Sequence, residues 1–284
     1  MTGRWVEPGT EEGWRVVDAA VRSARARLGD GLLSAYAIGS LAHGGFTAAV
    51  SDVDLALLTD RRLGRDMRAV VAGITDDLAG HTELTLHDRL SVFHTPWDRF
   101  ADPSPDARFP PIDRYDLVHF GVLVDGTDLR DVYATAPSAD EIRAQAIESA
   151  LRRVTPEALG AELRALADDG VSVHDATKLV LWPVRLQHVC DAGEATGNRA
   201  AVDHYLQLPD TRHRRLVADA LAWRELAALR EPGDALRRVT KEIHDLHVEV
   251  LERVSRLPGV PRRDEIVGRA QELDVRSAPR RGPG

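Results

Sequence analysis

The 284-residue chain is 43% hydrophobic and 29% charged, with a formal net charge of −8. That is the composition expected of a soluble globular protein of up to two domains. There is no apolar run of ~18 residues to suggest a membrane span, and no basic run beyond "TRHRRL" and the final "PRRGPG" to suggest sequence-independent nucleic-acid binding. The single cysteine, Cys190, excludes an intrachain disulfide and a cysteine-based metal cluster. The opening "MTGRWVEPGTEEGWRVV" lacks a basic region followed by an apolar stretch, so no signal peptide is expected and the cytoplasm is the expected compartment.

Residues 11–28 read as a helix, with Trp14, Val17, Ala20, Val21 and Ala24 at helical spacing and Gly29 and Gly31 as its stop. "LLSAYAIG" reads as a strand entering a Gly-Ser turn at Gly39 and Ser40. "SLAHGGF" follows as one helical turn broken by Gly44 and Gly45, then "DVDLALLT" as the next strand. Met67, Val70, Val71, Ile74 and Leu78 mark a helix, "RLSVFHT" a third strand, and the proline-rich stretch from Pro96 to Pro111 a surface loop. "RYDLVHFGVLVDG" fits a helix or a strand leading to a turn at Asp125-Gly126.

Beyond about residue 136 the pattern is helical throughout. Ser138 and Glu141 form a capping box ahead of the stripe Ile142, Ala146, Ile147, Ala150, Leu151 and Val154. "VHDATKLVLWPVRLQHVCDAG" is an apolar helix with Pro183 inside it and Gly193 as its stop. Leu236, Val239, Ile243, Leu246, Val250, Val254 and Leu257 mark a long final helix. The expected organisation is α+β: residues 1–136 as a mixed sheet flanked by helices, residues 137–260 as an all-helical domain with a cleft between the two, and residues 261–284 as a flexible tail.

Asp52 and Asp54 alternate with Val53 and Leu55, so on a strand the two carboxylates share one face, about 7 Å apart, while the apolar residues face a core. Like charges so placed are tolerated mainly around a cation. Oxygen-only ligands suit Mg²⁺ that also keeps phosphate oxygens. Gly39 lets the backbone approach an anion, and Ser40 offers a hydroxyl and an N–H at the start of a helical turn. A phosphate seat eleven residues ahead of a two-acid metal site is apparatus for phosphoryl or nucleotidyl transfer.

"IGSLAHGGFTAAVSDVDLALL" resembles the signature of the DNA polymerase beta-type nucleotidyltransferases, with Ile38, Gly39, Ser40, Asp52, Val53, Asp54 and Leu55 in its positions. The resemblance implies Mg²⁺-assisted transfer of a nucleoside monophosphate, with ATP as the expected co-substrate, to a hydroxyl of a small acceptor. Within that superfamily the chain is most similar to the two-domain aminoglycoside nucleotidyltransferases. "HDATKLVLWPVRLQHVCDAGEATGNRAAVDHYL" is similar to their substrate-domain helices, and Asp175 stands where they have an acid that contacts the aminoglycoside's amines.

The same resemblance implies a third carboxylate on the strand beside the Asp-x-Asp strand, as a metal ligand or general base. That position falls near Ser91. Asp88 is the expected substitute and Asp116 the next candidate. The displaced acid leaves two other readings: a nucleotidyltransferase acting on a protein partner, and a nucleotide-binding module with weak or no turnover.

Overall fold

The computed structural model describes residues 9–60, 66–101, 108–133, 135–168, 172–229 and 231–277. It divides into two compact units, Met1–Pro137 and Ser138–Gly284.

The first unit is built on a four-stranded sheet of order β3-β2-β1-β4. Its strands are β1 (Leu32–Ile38), β2 (Val53–Thr59), β3 (Leu90–Pro96) and β4 (Val122–Gly126). β1 is antiparallel to both β2 and β4, and β2 is parallel to β3. A parallel pair needs a crossover, and helix α3 (Met67–Ala79) provides it. Helix α1 (Glu11–Leu28) and α3 cover one face, where Val16, Val17 and Ile74 pack on Ala35, Ala37, Val53, Leu55 and Leu57. The opposite face carries Tyr36, Ile38, Ala56 and Leu58, packed by Leu117 of helix α4 (Pro111–Phe120). Each fully buried aliphatic side chain here stabilises the fold by about 1.5–3 kcal/mol. Between the strands, α2 (Ser40–His43) follows β1, and α5 (Arg130–Tyr133) follows β4.

Two polar ties fix α1. Ser23 Oγ donates to Asp77 at 2.6 Å and Arg27 Nη2 lies 2.9 Å from the same carboxylate, joining α1 to α3. Arg25 pairs with Asp125 of β4. The segment that fitted either a helix or a strand is both: α4 ends at Phe120, and β4 begins after Gly121.

The second unit is helical: α6 (Ala139–Arg153), α7 (Pro156–Asp168), α8 (Val173–Ala192), α9 (Asn198–Gln207), α10 (Arg214–Leu226), α11 (Pro232–Arg256) and α12 (Arg263–Ser277). The capping box forms at Ser138 and Glu141. Ser172 caps α8, which ends at Gly193 with φ 74°. α8 packs against α6, α9, α10 and α11, so it is buried on most sides, as its apolar content requires. No helix among the described residues is long and apolar enough to cross a membrane.

One expectation is overturned. Residues 263–277 are not a flexible tail but helix α12, which lays Ile266, Ala270 and Leu273 against α11, each at most 4% exposed. The arginine- and proline-rich composition hides a stripe at i, i+4 and i+7 that buries one helix face. Residues 278–284 lie outside the described residues.

Candidate active site

β1 runs directly into the Gly-Ser turn. Gly39 has φ 67°, which favours a residue without a side chain. A Cβ there would overlap Asp54 Oδ2 and stand 3.2 Å from its Cγ. Gly39 is therefore required twice: by its backbone conformation and by the carboxylate pressed against it. The turn closes through Ala42 and His43, whose N–H groups donate to the Gly39 carbonyl at 3.0 and 3.1 Å. The following loop is tied by Thr47, whose N–H donates to Ser51 Oγ at 2.9 Å. Phe46 and Leu41 anchor it to α1 over Gly13, where a Cβ would meet them at 2.9 and 3.0 Å.

Asp52 is exposed just before β2, and Asp54 is half-buried within the strand. Val53 and Leu55 between and beyond them are fully buried. Asp54 pairs with Ile38 on one side and with Ser91 on the other. Paired residues on neighbouring strands share a face, so Ser91 occupies the place where a sheet-borne third acid would stand. Asp88 is exposed in the short turn His87–Arg89 ahead of β3. No three His, Cys, Asp or Glu side chains gather into a metal-binding cluster among the described residues. The acids at this point are Asp52, one residue ahead of β2, and Asp54 within it. That matches Mg²⁺ held by one or two carboxylates and completed by substrate phosphates, and does not match an all-protein cage.

Asp116 reaches the turn from α4. Its Oδ2 accepts the Gly39 N–H, and its Oδ1 lies 3.7 Å from His43 Nε2. It is 8% exposed. The sequence ranked it behind Asp88 because α4 is distant in the chain. Only the packing of α4 on β1 brings it to the Gly-Ser turn.

Two arginines of this unit that could have met phosphate are engaged elsewhere. Arg89 donates to the Ala48 carbonyl at 2.7 Å. Arg130 pairs with Asp128 and donates to the Gly121 carbonyl at 2.6 Å. The hydrogen bonds from Arg130 hold the Asp128 carboxyl down at about 2.

In the helical unit, Asp175 sits exposed in the first turn of α8, where its N–H donates to Ser172 Oγ at 3.0 Å. It rims a cavity of about 200 Å³ together with Lys178, over walls that include Leu159, Leu166 and Trp182. Trp182 stacks on His247 of α11, with ring centroids 6.3 Å apart and planes 13° from parallel. Pro183 has no N–H to give the Leu179 carbonyl one turn earlier. The Leu179 backbone acts on the His247 imidazole and offsets part of the effect of its burial. Burial drives the His247 imidazole down to about 4. The sequence offered a signal at this point, a proline inside a helix, but not which side chain would pack there. Cys190 is buried, and burial pushes its thiol up to about 12, so it is no nucleophile.

No protein-family model and no curated protein matches the chain. Among solved structures, the chain is similar to the spectinomycin adenyltransferase AAD(9) from Enterococcus faecialis, determined with ATP and spectinomycin. The TM-score is 0.55 at 12% identity, over 81% of this chain and 98% of that one. At that identity the likeness is one of fold: an α+β domain followed by a helical domain.

Proposed function

We propose that the protein is a nucleotidyltransferase of the DNA polymerase beta type that moves AMP from ATP to a hydroxyl of a small, cationic acceptor. The observation that carries this reading is the packing of Gly39 against the Asp54 carboxylate, which joins the phosphate turn and the acid strand into one place. The structural likeness to an adenyltransferase determined with ATP and spectinomycin supports it.

In this reading Asp52 and Asp54 hold Mg²⁺, and Gly39 and Ser40 seat the triphosphate. Mg²⁺, when bound, neutralises charge on the phosphate oxygens. Asp54 is oriented by β2, with its neighbours locked in the core, so its carboxylate is positioned before substrate arrives. The acceptor oxygen attacks the α-phosphorus and forms the new O–P bond. The bond to the bridging oxygen breaks, pyrophosphate leaves with that electron pair, and the hydroxyl proton passes to solvent or to a base. Asp88 is the sequence's nominee for that base, and its exposed position would leave it open to the acceptor. Asp175, at the rim of the cavity lined by Trp182, would attract the acceptor's ammonium groups.

The test is incubation with ATP, Mg²⁺ and a panel of aminoglycosides and aminocyclitols, read by mass spectrometry. An acceptor gaining one AMP supports the reading. Gain of AMP by a co-incubated protein and by no small molecule would move the acceptor to a protein partner. One observation favours a second reading, a nucleotide-binding module without turnover: Ser91, opposite Asp54, cannot act as a carboxylate. Nucleotide binding with no product on any acceptor would support it.

A further inference from the structure

A single carboxylate reaches both ends of the Gly-Ser turn. Gly39 is the residue before α2, and His43 is the last residue of α2. Asp116 Oδ2 accepts from the Gly39 N–H, while Asp116 Oδ1 faces His43 Nε2 at 3.7 Å. The His43 ring also packs edge-on to Phe120, one helical turn beyond Asp116, with centroids 5.6 Å apart. His43 Nδ1 lies 3.1 Å from the Gly44 carbonyl. Behind Asp116, Leu117 is fully buried in the sheet-face core with Tyr36, Ile38, Ala56 and Leu58. The carboxylate is thus mounted on a rigid helix and aimed at the backbone of the turn.

We infer that Asp116 is a positioning residue: it fixes the Gly39–His43 turn and so sets the triphosphate seat against Asp54. It is neither the missing third metal ligand nor the general base. Three features separate these roles. Oδ2 is occupied by the Gly39 N–H, and Oδ1 is turned toward the His43 ring rather than away from the turn. The residue is 8% exposed, which withholds it from an acceptor hydroxyl. It forms no three-member metal-binding group with the other acids among the described residues. An amide N–H held by a charge-assisted hydrogen bond is a strong local constraint. Here it stabilises a positive-φ conformation that the chain would not otherwise favour.

This inference rests on the nucleotidyl-transfer reading for its consequence, but not for its geometry, and the test separates the two. Amide hydrogen exchange of residues 39–43 and calorimetric titration with Mg·ATP are measured on the full chain for wild type, Asp116→Asn and Asp116→Ala. A clamp predicts faster exchange in Asp116→Ala and a Kd for Mg·ATP raised about tenfold or more, the size of one lost charge-assisted hydrogen bond. Asp116→Asn keeps an oxygen to accept the Gly39 N–H, so exchange and Kd should recover to within about threefold of wild type. An Asn variant that restores slow exchange at residues 39–43 yet binds Mg·ATP as poorly as the Ala variant would overturn the inference, because the held turn would then not be what sets nucleotide affinity. So would unchanged exchange in Asp116→Ala. If wild type binds no Mg·ATP, the nucleotide reading fails, and the exchange data alone decide the clamp.

Discussion

Asp54 of β2 lies directly across the parallel ladder from Ser91 of β3, and the two side chains share a face. A carboxylate at residue 91 would therefore stand beside Asp54 without any change in the sheet. Ser91→Glu is expected to raise the rate of AMP transfer about tenfold or more, within the range a positioned general base contributes. Initial-rate measurements with a confirmed acceptor check this. A rate equal to or below wild type would mean that the chain already places its base elsewhere.

Gly39→Ala combines a disfavoured φ of 67° with a Cβ driven into the Asp54 carboxylate. The expected cost is about 1–3 kcal/mol of stability, typical of a strained backbone site, together with loss of nucleotide affinity. Chemical denaturation and ATP titration measure both. A fully stable variant that binds normally would show that the turn is not where nucleotide sits.

Glu249 of α11 is 4% exposed and accepts hydrogen bonds from Tyr205 Oη at 2.8 Å and from the Arg212 N–H at 3.0 Å. Burial, then the Glu249 charge, pushes the Tyr205 hydroxyl far up, so it stays a donor at any working pH. Tyr205→Phe leaves one buried carboxylate oxygen short of a donor and should cost about 1–3 kcal/mol. Urea unfolding reads this, with the first unit's activity in the surviving folded fraction unaffected.

His247 gives the helical unit a pH dependence. Its imidazole ionises near pH 4 when folded, lowered from 6.5 mainly by burial. The unfolded chain therefore binds the extra proton first as pH falls. The stability contributed by the neutral ring is complete above about pH 6.5 and is lost down to about pH 4, a fall on the order of 3 kcal/mol. His247→Gln keeps a polar side chain beside Leu179 and removes the titration. Its unfolding free energy should be flatter between pH 6.5 and 4 than that of wild type.

Local patterns in the sequence carried far. The period-two alternation of Val53, Leu55 and Leu57 against Asp54 identified β2 and the face under α1 and α3, but not that Ala56 and Leu58 bury the other face beyond Asp54. Gly39 and Gly193 stood where positive φ was needed. What was not legible depends on contacts distant in the chain. Asp116 reaches Gly39 across 77 positions, and no spacing rule reports such a distance. Helix α12 was missed because its three buried positions are sparse among arginines and acids, so composition outweighed periodicity. The Asp88 expectation followed proximity in sequence to Ser91. The turn His87–Arg89 places that side chain in solvent ahead of β3.

The central claim is that Asp52 and Asp54 hold a metal that carries the triphosphate. Calorimetric titration of ATP into wild type and Asp54→Asn, each with Mg²⁺ and with EDTA, tests it most directly. The account predicts that wild type binds ATP only with Mg²⁺, and that Asp54→Asn, still folded by circular dichroism, loses this binding by about tenfold or more, as expected when a charged metal ligand is removed. Equal affinity of the variant and wild type for Mg·ATP would contradict it.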